Sequence, residues 1–97
     1  MKRDNLVVGQ KVILKKDMLG EPVGSVGFVY EIYQDFENPD SVGVSVIFMN
    51  GGYDGFSFEE QNLYLEIGDI DQRYSMYEFK NVNRLWRDYQ NGYWSFL

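Results

Sequence analysis

The side chains able to do chemistry in this chain are carboxylates, hydroxyls, phenols and a few cations. Neither histidine nor cysteine occurs. Imidazole acid–base work, thiol nucleophiles, disulfides and the usual zinc ligand sets therefore have no residues to use. Two carboxylate pairs, Asp69 with Asp71 and Glu59 with Glu60, have the residue types for hydrolysis, but no pattern places either pair in a cleft. Asp35, Glu37 and Asp40 share one loop and could offer oxygens to calcium. Their spacing is not that of an EF-hand, and Pro39 marks a plain turn. The expectation is no enzyme, no cofactor and no metal.

Aromatic rings are the richer resource, at 18% of the chain. Tyr30, Tyr33, Tyr53 and Phe56 fall near loop ends, where rings can cage a cation or meet a protein. The chain ends Tyr93-Trp94-Ser95-Phe96-Leu97, too apolar to hang in water. Tyr33, Tyr53, Phe56, Trp94 and Phe96 are the expected contacts for a protein partner or for self-association.

Charge is segregated along the chain. Residues 1–16 sum to +4, residues 17–79 to −12 and residues 80–97 to +2, for a net charge of −6. The acidic centre repels phosphate, so nucleic acid is not the expected partner. Were it one, Lys11, Lys15, Lys16, Arg84 and Arg87 would make the contacts. An acidic surface can also occupy a basic groove that normally holds DNA or RNA.

The elements that must carry these residues are mostly strands. Val42, Val44, Val46 and Phe48 keep the period of two of a half-buried strand. Asn50-Gly51-Gly52 then predicts a tight hairpin with positive φ at Asn50 and Gly51, and Tyr53 to Phe58 returns. Val12 and Leu14 mark a first strand. Ser25 to Tyr33 is a second, with core candidates Val26, Phe28, Val29 and Ile32 and a bulge or bend at Gly27. Ser57-Phe58-Glu59-Glu60 reads as a capping box opening a single 3₁₀ turn, before a last strand over Leu63 to Ile67.

A second capping box, Ser75-Met76-Tyr77-Glu78, precedes Phe79, Val82, Leu85, Trp86 and Tyr89 at helical spacing, covering about 120° of arc. Lys80, Arg84 and Arg87 take the opposite face, and Gly92 is a stop. A helix over about 76–91 is predicted.

At 97 residues the chain is a single domain. The expected plan is a barrel over 7–67, a linker over 68–75, and a helix with its apolar tail over 76–97. The N-terminus lacks a signal-peptide core and no long apolar run occurs, so a cytoplasmic location is expected.

Val8-Gly9-Gln10-Lys11-Val12, Gly24-Ser25-Val26-Gly27-Phe28-Val29, Val44-Ser45-Val46-Ile47-Phe48 and Gly55-Phe56-Ser57-Phe58 together resemble an SH3-like small β-barrel of the KOW-like type. The resemblance implies a mainly β fold, a five-stranded barrel packed by the C-terminal helix. It also implies an RNA- or DNA-binding accessory role as one alternative. The turn region carries Asp17 and Glu21 where KOW motifs tend to be basic. Small size and acidity are similar to phage-type inhibitors of nucleic-acid enzymes. The function expected is a non-catalytic module that binds a protein partner stoichiometrically. A small-ligand or aromatic-cage barrel is the remaining alternative.

Overall fold

A computed structural model describes residues 6–18, 20–34, 40–70 and 77–94. Five strands form one antiparallel sheet: β1 Gln10–Leu14, β2 Val26–Gln34, β3 Val42–Phe48, β4 Tyr53–Phe56 and β5 Leu65–Ile70. Their order across the sheet is β4-β3-β2-β1-β5. The alternation expected of β1 is present, with Val12 and Leu14 buried and Lys11 and Ile13 half-buried on the other side. Val44, Val46 and Phe48 are all buried on one face of β3, as their period of two requires.

The β3–β4 hairpin forms where expected, but its turn is of another kind. Gly51 alone takes the left-handed conformation, at φ 92°, and no non-glycine described residue has positive φ. Gly51 N–H donates to the Phe48 carbonyl (2.8 Å) and Phe48 N–H to the Gly52 carbonyl (2.7 Å). This is a three-residue loop with glycine in the left-handed position. Asn50 serves through its side chain, its Oδ1 accepting from Gly52 N–H at 2.8 Å. The bulge in β2 is likewise displaced. Register against β3 shifts between Val29 and Glu31, not at Gly27.

Ser57 opens a full α-helix, α1 Phe58–Tyr64, instead of one 3₁₀ turn. Both halves of the capping box are made. Glu60 N–H donates to Ser57 Oγ (3.2 Å), and Ser57 N–H donates to Glu60 Oε1 (2.9 Å). Gln61, fully buried, reaches from α1 to the carbonyls of Val42 (2.9 Å) and Phe56 (3.2 Å). That anchor holds the helix through Tyr64, so β5 starts at Leu65, two residues later than expected. It also continues to Ile70, taking in the start of the expected linker.

One apolar cluster gathers Leu6, Val12, Leu14, Val29, Val44, Val46, Phe48, Phe56 and Leu65. Phe56 and Leu65 belong to the two edge strands, so the sheet curls until its edges share one core. Ladders join the strands only in the order above among the described residues. Among the described residues the architecture is an open, curled, five-stranded antiparallel sheet with two helices.

A second cluster covers the outer side of the same sheet. Phe28, Tyr30 and Ile47 project from β2 and β3 against Leu85 and Trp94, with Tyr77, Phe79, Val82, Trp86 and Tyr89 around them. The covering helix, α2, spans Val82–Gln90, shorter than the predicted 76–91. Its N-cap is Asn81, whose Oδ1 accepts from Arg84 N–H at 2.9 Å. Tyr77 to Lys80 lie outside the helix, and Glu78 pairs with Lys80 at 2.7 Å instead of capping. Ser75 and Met76 fall outside the described residues. Gly92 ends α2 at φ 83°. Its N–H donates to the Tyr89 carbonyl and that of Tyr93 to the Asp88 carbonyl, the Schellman pattern. Among the described residues no helix is long and apolar enough to cross a membrane.

Candidate functional site

The β1–β2 loop is built as a small rigid hairpin. Met18 and Glu21 exchange both backbone hydrogen bonds (3.0 and 2.9 Å) across a tip where Gly20 adopts φ 80°. Asp17 Oδ1 accepts from Val23 N–H at 3.0 Å, and Ser25 Oγ donates to the Pro22 carbonyl at 2.7 Å. Gly24 N–H returns to the Leu14 carbonyl at 2.8 Å, fastening the loop to the end of β1. The loop's geometry is therefore set by its own backbone.

This loop faces the β3–β4 turn, the start of β4 and the end of α1, and a groove lies between them. Its widest part, about 620 Å³, is bounded by Asp17, Met18, Gly20, Asp54 and Tyr64. A narrower, more enclosed part of about 80 Å³ lies between Met18 and Glu21 on one side and Phe48 and Gly52 to Asp54 on the other. A third part, about 270 Å³, runs past Glu21 and Pro22 to Val26 and Met49. The first two parts share Met18 and Asp54 as walls, and the last two share Glu21. Met18 and Tyr64 supply the groove's apolar lining, the buried Phe48 lies beneath, and Tyr53 stands at its border. Glu21 leans over Gly52 so closely that any β-carbon there would collide with Glu21 Oε1.

The residues singled out in the sequence are distributed differently. Tyr53 borders the groove and is 61% exposed. Tyr33 is half-buried on the outer sheet face, its ring lying over Gly43 and its hydroxyl near Gly55. Tyr30 is buried against Phe79 at 5.2 Å between ring centroids, and burial pushes its phenol above the usual range. Phe56 points to the opposite, inner side and is fully buried. The sheet thus separates Phe56 from the other three, since Tyr53 pairs with Ile47 of the outer face.

Two expected partner contacts are buried. Phe56 is core, because its position in β4 faces the curl of the sheet. Trp94 is core too, at 3% exposure. Its ring stands edge-on to Phe28 at 5.8 Å and its indole N–H donates to the Leu85 carbonyl at 2.9 Å. Ile32, expected in the core, is exposed near the end of β2. Phe96 lies outside the described residues.

The cations are spread over β1, the β1–β2 loop and α2. Lys11 sits in β1 opposite Phe28, and Lys15 Nζ donates to the Asn62 carbonyl of α1 at 2.9 Å. Arg84 is paired with Asp88 on α2 at 3.1 Å. Lys16 and Arg87 are exposed on separate elements. Of the acid pairs, Glu60 is occupied in its cap, Glu59 and Asp69 are exposed, and Asp71 is not among the described residues. Asp35 and Glu37 are likewise outside them. No group of three or more potential metal-ligating side chains is found among the described residues.

Sequence reasoning marked Asp17 and Glu21 only as acids in a loop. The signal for a built site was their spacing of four around a Gly-containing tip, which puts both on one hairpin facing β4. Compared with known proteins, the chain matches no protein-family model, no curated protein and no solved structure.

Proposed function

We propose that this protein is a non-catalytic interaction module that binds a protein partner stoichiometrically in the groove between the β1–β2 loop and β4. The observation that supports this reading is the groove's make-up. Adjoining hollows, walled by Met18, Glu21 and Asp54 with Tyr53 and Tyr64 at their borders, are held between a self-bonded loop and a hairpin. Such preorganised concavity lowers the ordering cost of binding. A rigid loop of this kind suits recognition, and the bordering Ser25 hydroxyl is spent on the Pro22 carbonyl.

The SH3-like barrel is the finer fold reading we attach to this proposal. It is supported by the strand order β4-β3-β2-β1-β5, with a short helix between β4 and β5. A cytoplasmic setting goes with it. Fold likeness alone assigns no partner.

The test is capture from lysate by the tagged protein, with and without nuclease, comparing wild type with Met18→Ser/Tyr53→Ser. One protein retained in equimolar amount, resistant to nuclease and lost with the double variant, is the expected result. Capture unchanged by the double variant overturns the groove as the site. Recovery of nucleic acid that high salt removes favours the KOW-like alternative.

A further inference from the structure

We infer that the groove recognises a linear segment of its protein partner through one Lys or Arg side chain seated between Glu21 and Asp54. This rests on the groove being the partner site. Glu21 comes from the loop side and Asp54 from β4, so the narrow part of the groove carries a carboxylate on each wall. Met18 lines the space between them with the buried Phe48 beneath it, apolar surface suited to the methylene stem of a long cationic side chain. Gly52 matters for the same reason. Its missing side chain leaves room for the Glu21 carboxylate to lean inward.

Charge complementarity fixes the sign of the occupant. Asp17 adds a third carboxylate at the wide end, and no residue bordering any part of the groove is Lys or Arg among the described residues. Lys15, close by in sequence, is held on the Asn62 carbonyl. An acidic or neutral segment would leave the carboxylates uncompensated as the groove lost water, and that costs affinity. A cation would gain charge-assisted hydrogen bonds and be steered by the acidic centre of the chain.

The experiment selects displayed short random peptides on the full chain and maps the winners by amide chemical shifts. Enriched peptides should hold a fixed Lys or Arg beside apolar residues and shift the amides of Met18, Glu21 and Gly52 to Asp54. Their affinity should fall about tenfold or more in Glu21→Gln/Asp54→Asn and weaken with added salt. A charge-reversed Glu21→Lys/Asp54→Lys chain, its fold checked by circular dichroism, should select acidic peptides instead. Peptides that map to the groove without a fixed cation, and bind the Gln/Asn variant equally, overturn this inference and leave the groove reading standing. Peptides that map elsewhere, or no enrichment at all, overturn both.

Discussion

The hydroxyl of Tyr77 donates to Asp88 Oδ2 at 2.5 Å, tying the extended approach to α2 onto the helix itself. Arg84 Nε approaches both oxygens of the same carboxylate, at 3.1 and 3.2 Å. The segment that covers the outer sheet face is thus locked internally, while its rings make the apolar contact with Phe28, Tyr30 and Ile47.

That lock makes stability depend on pH at both ends of the scale. The hydrogen bond from Tyr77, together with Arg84, holds the Asp88 carboxyl below its usual value. Its contribution is present above the unfolded value near 4 and is lost as pH falls through that range. Burial, then the hydrogen bond to Asp88, pushes the Tyr77 phenol up to about 12. Its contribution is present below about pH 10 and is lost as pH rises from there toward 12. Urea midpoints measured across pH should fall on both sides. Tyr77→Phe should flatten the alkaline fall without abolishing it, because Tyr30 is raised as well. An unchanged alkaline slope in that variant would show that the phenol is not the titrating group.

Trp94 is the keystone of the outer cluster. Truncating a buried aromatic of this size costs about 3–5 kcal/mol, so Trp94→Ala should lower the urea midpoint strongly. Trp86 remains as the emission probe, packed over Gly51 in the β3–β4 turn. If the variant kept its stability, Trp94 would be a surface side chain available to a partner.

Trp94 also shows where sequence reading stopped. Period-two and period-3.6 patterns say which side of an element is apolar, and they located β1, β3 and the apolar face of α2. They do not say what lies on that side. Phe28 and Ile47 alternate out of phase with Val29 and Val46, because β2 and β3 are buried on both faces. The second face exists only because 77–94 folds back on it. Ser75-x-x-Glu78 and Asn81 both spell an N-cap, and the pattern alone does not choose between them; Asn81 caps the helix while Glu78 pairs with Lys80. The groove was illegible for a related reason. Asp17, Glu21 and Asp54 are 37 residues apart at the extremes, and the sheet curl alone brings them together.

Gly27 offers a steric test of the β2–β3 contact. A β-carbon built there would lie 2.7 Å from Val46 Cγ1 and 2.9 Å from the Ile47 carbonyl oxygen. The second neighbour is backbone and cannot rotate away, so Gly27→Ala must part the strands. Overpacking of this kind costs about 1–3 kcal/mol. Amide exchange should quicken along the β2–β3 ladder in that variant. Equal protection would mean that the pairing is looser at this point than the register implies.

Gln61 gives the last test, and it bears on the groove. Its side-chain amide, fully buried, donates to the carbonyls of Val42 and Phe56, so one residue of α1 holds the start of β3 and the end of β4. Removing the donor leaves two interior carbonyls without it, at about 1–3 kcal/mol. Gln61→Leu keeps the bulk and removes the whole polar amide, so it should destabilise by this polar cost with little added cavity. Tyr64, one turn along α1, borders the groove and packs on Phe56 at 6.3 Å. A loosened α1 should therefore weaken partner binding as well as stability, even though Gln61 does not border the groove. Loss of stability with unaltered affinity would show that the groove wall stands without the α1 anchor.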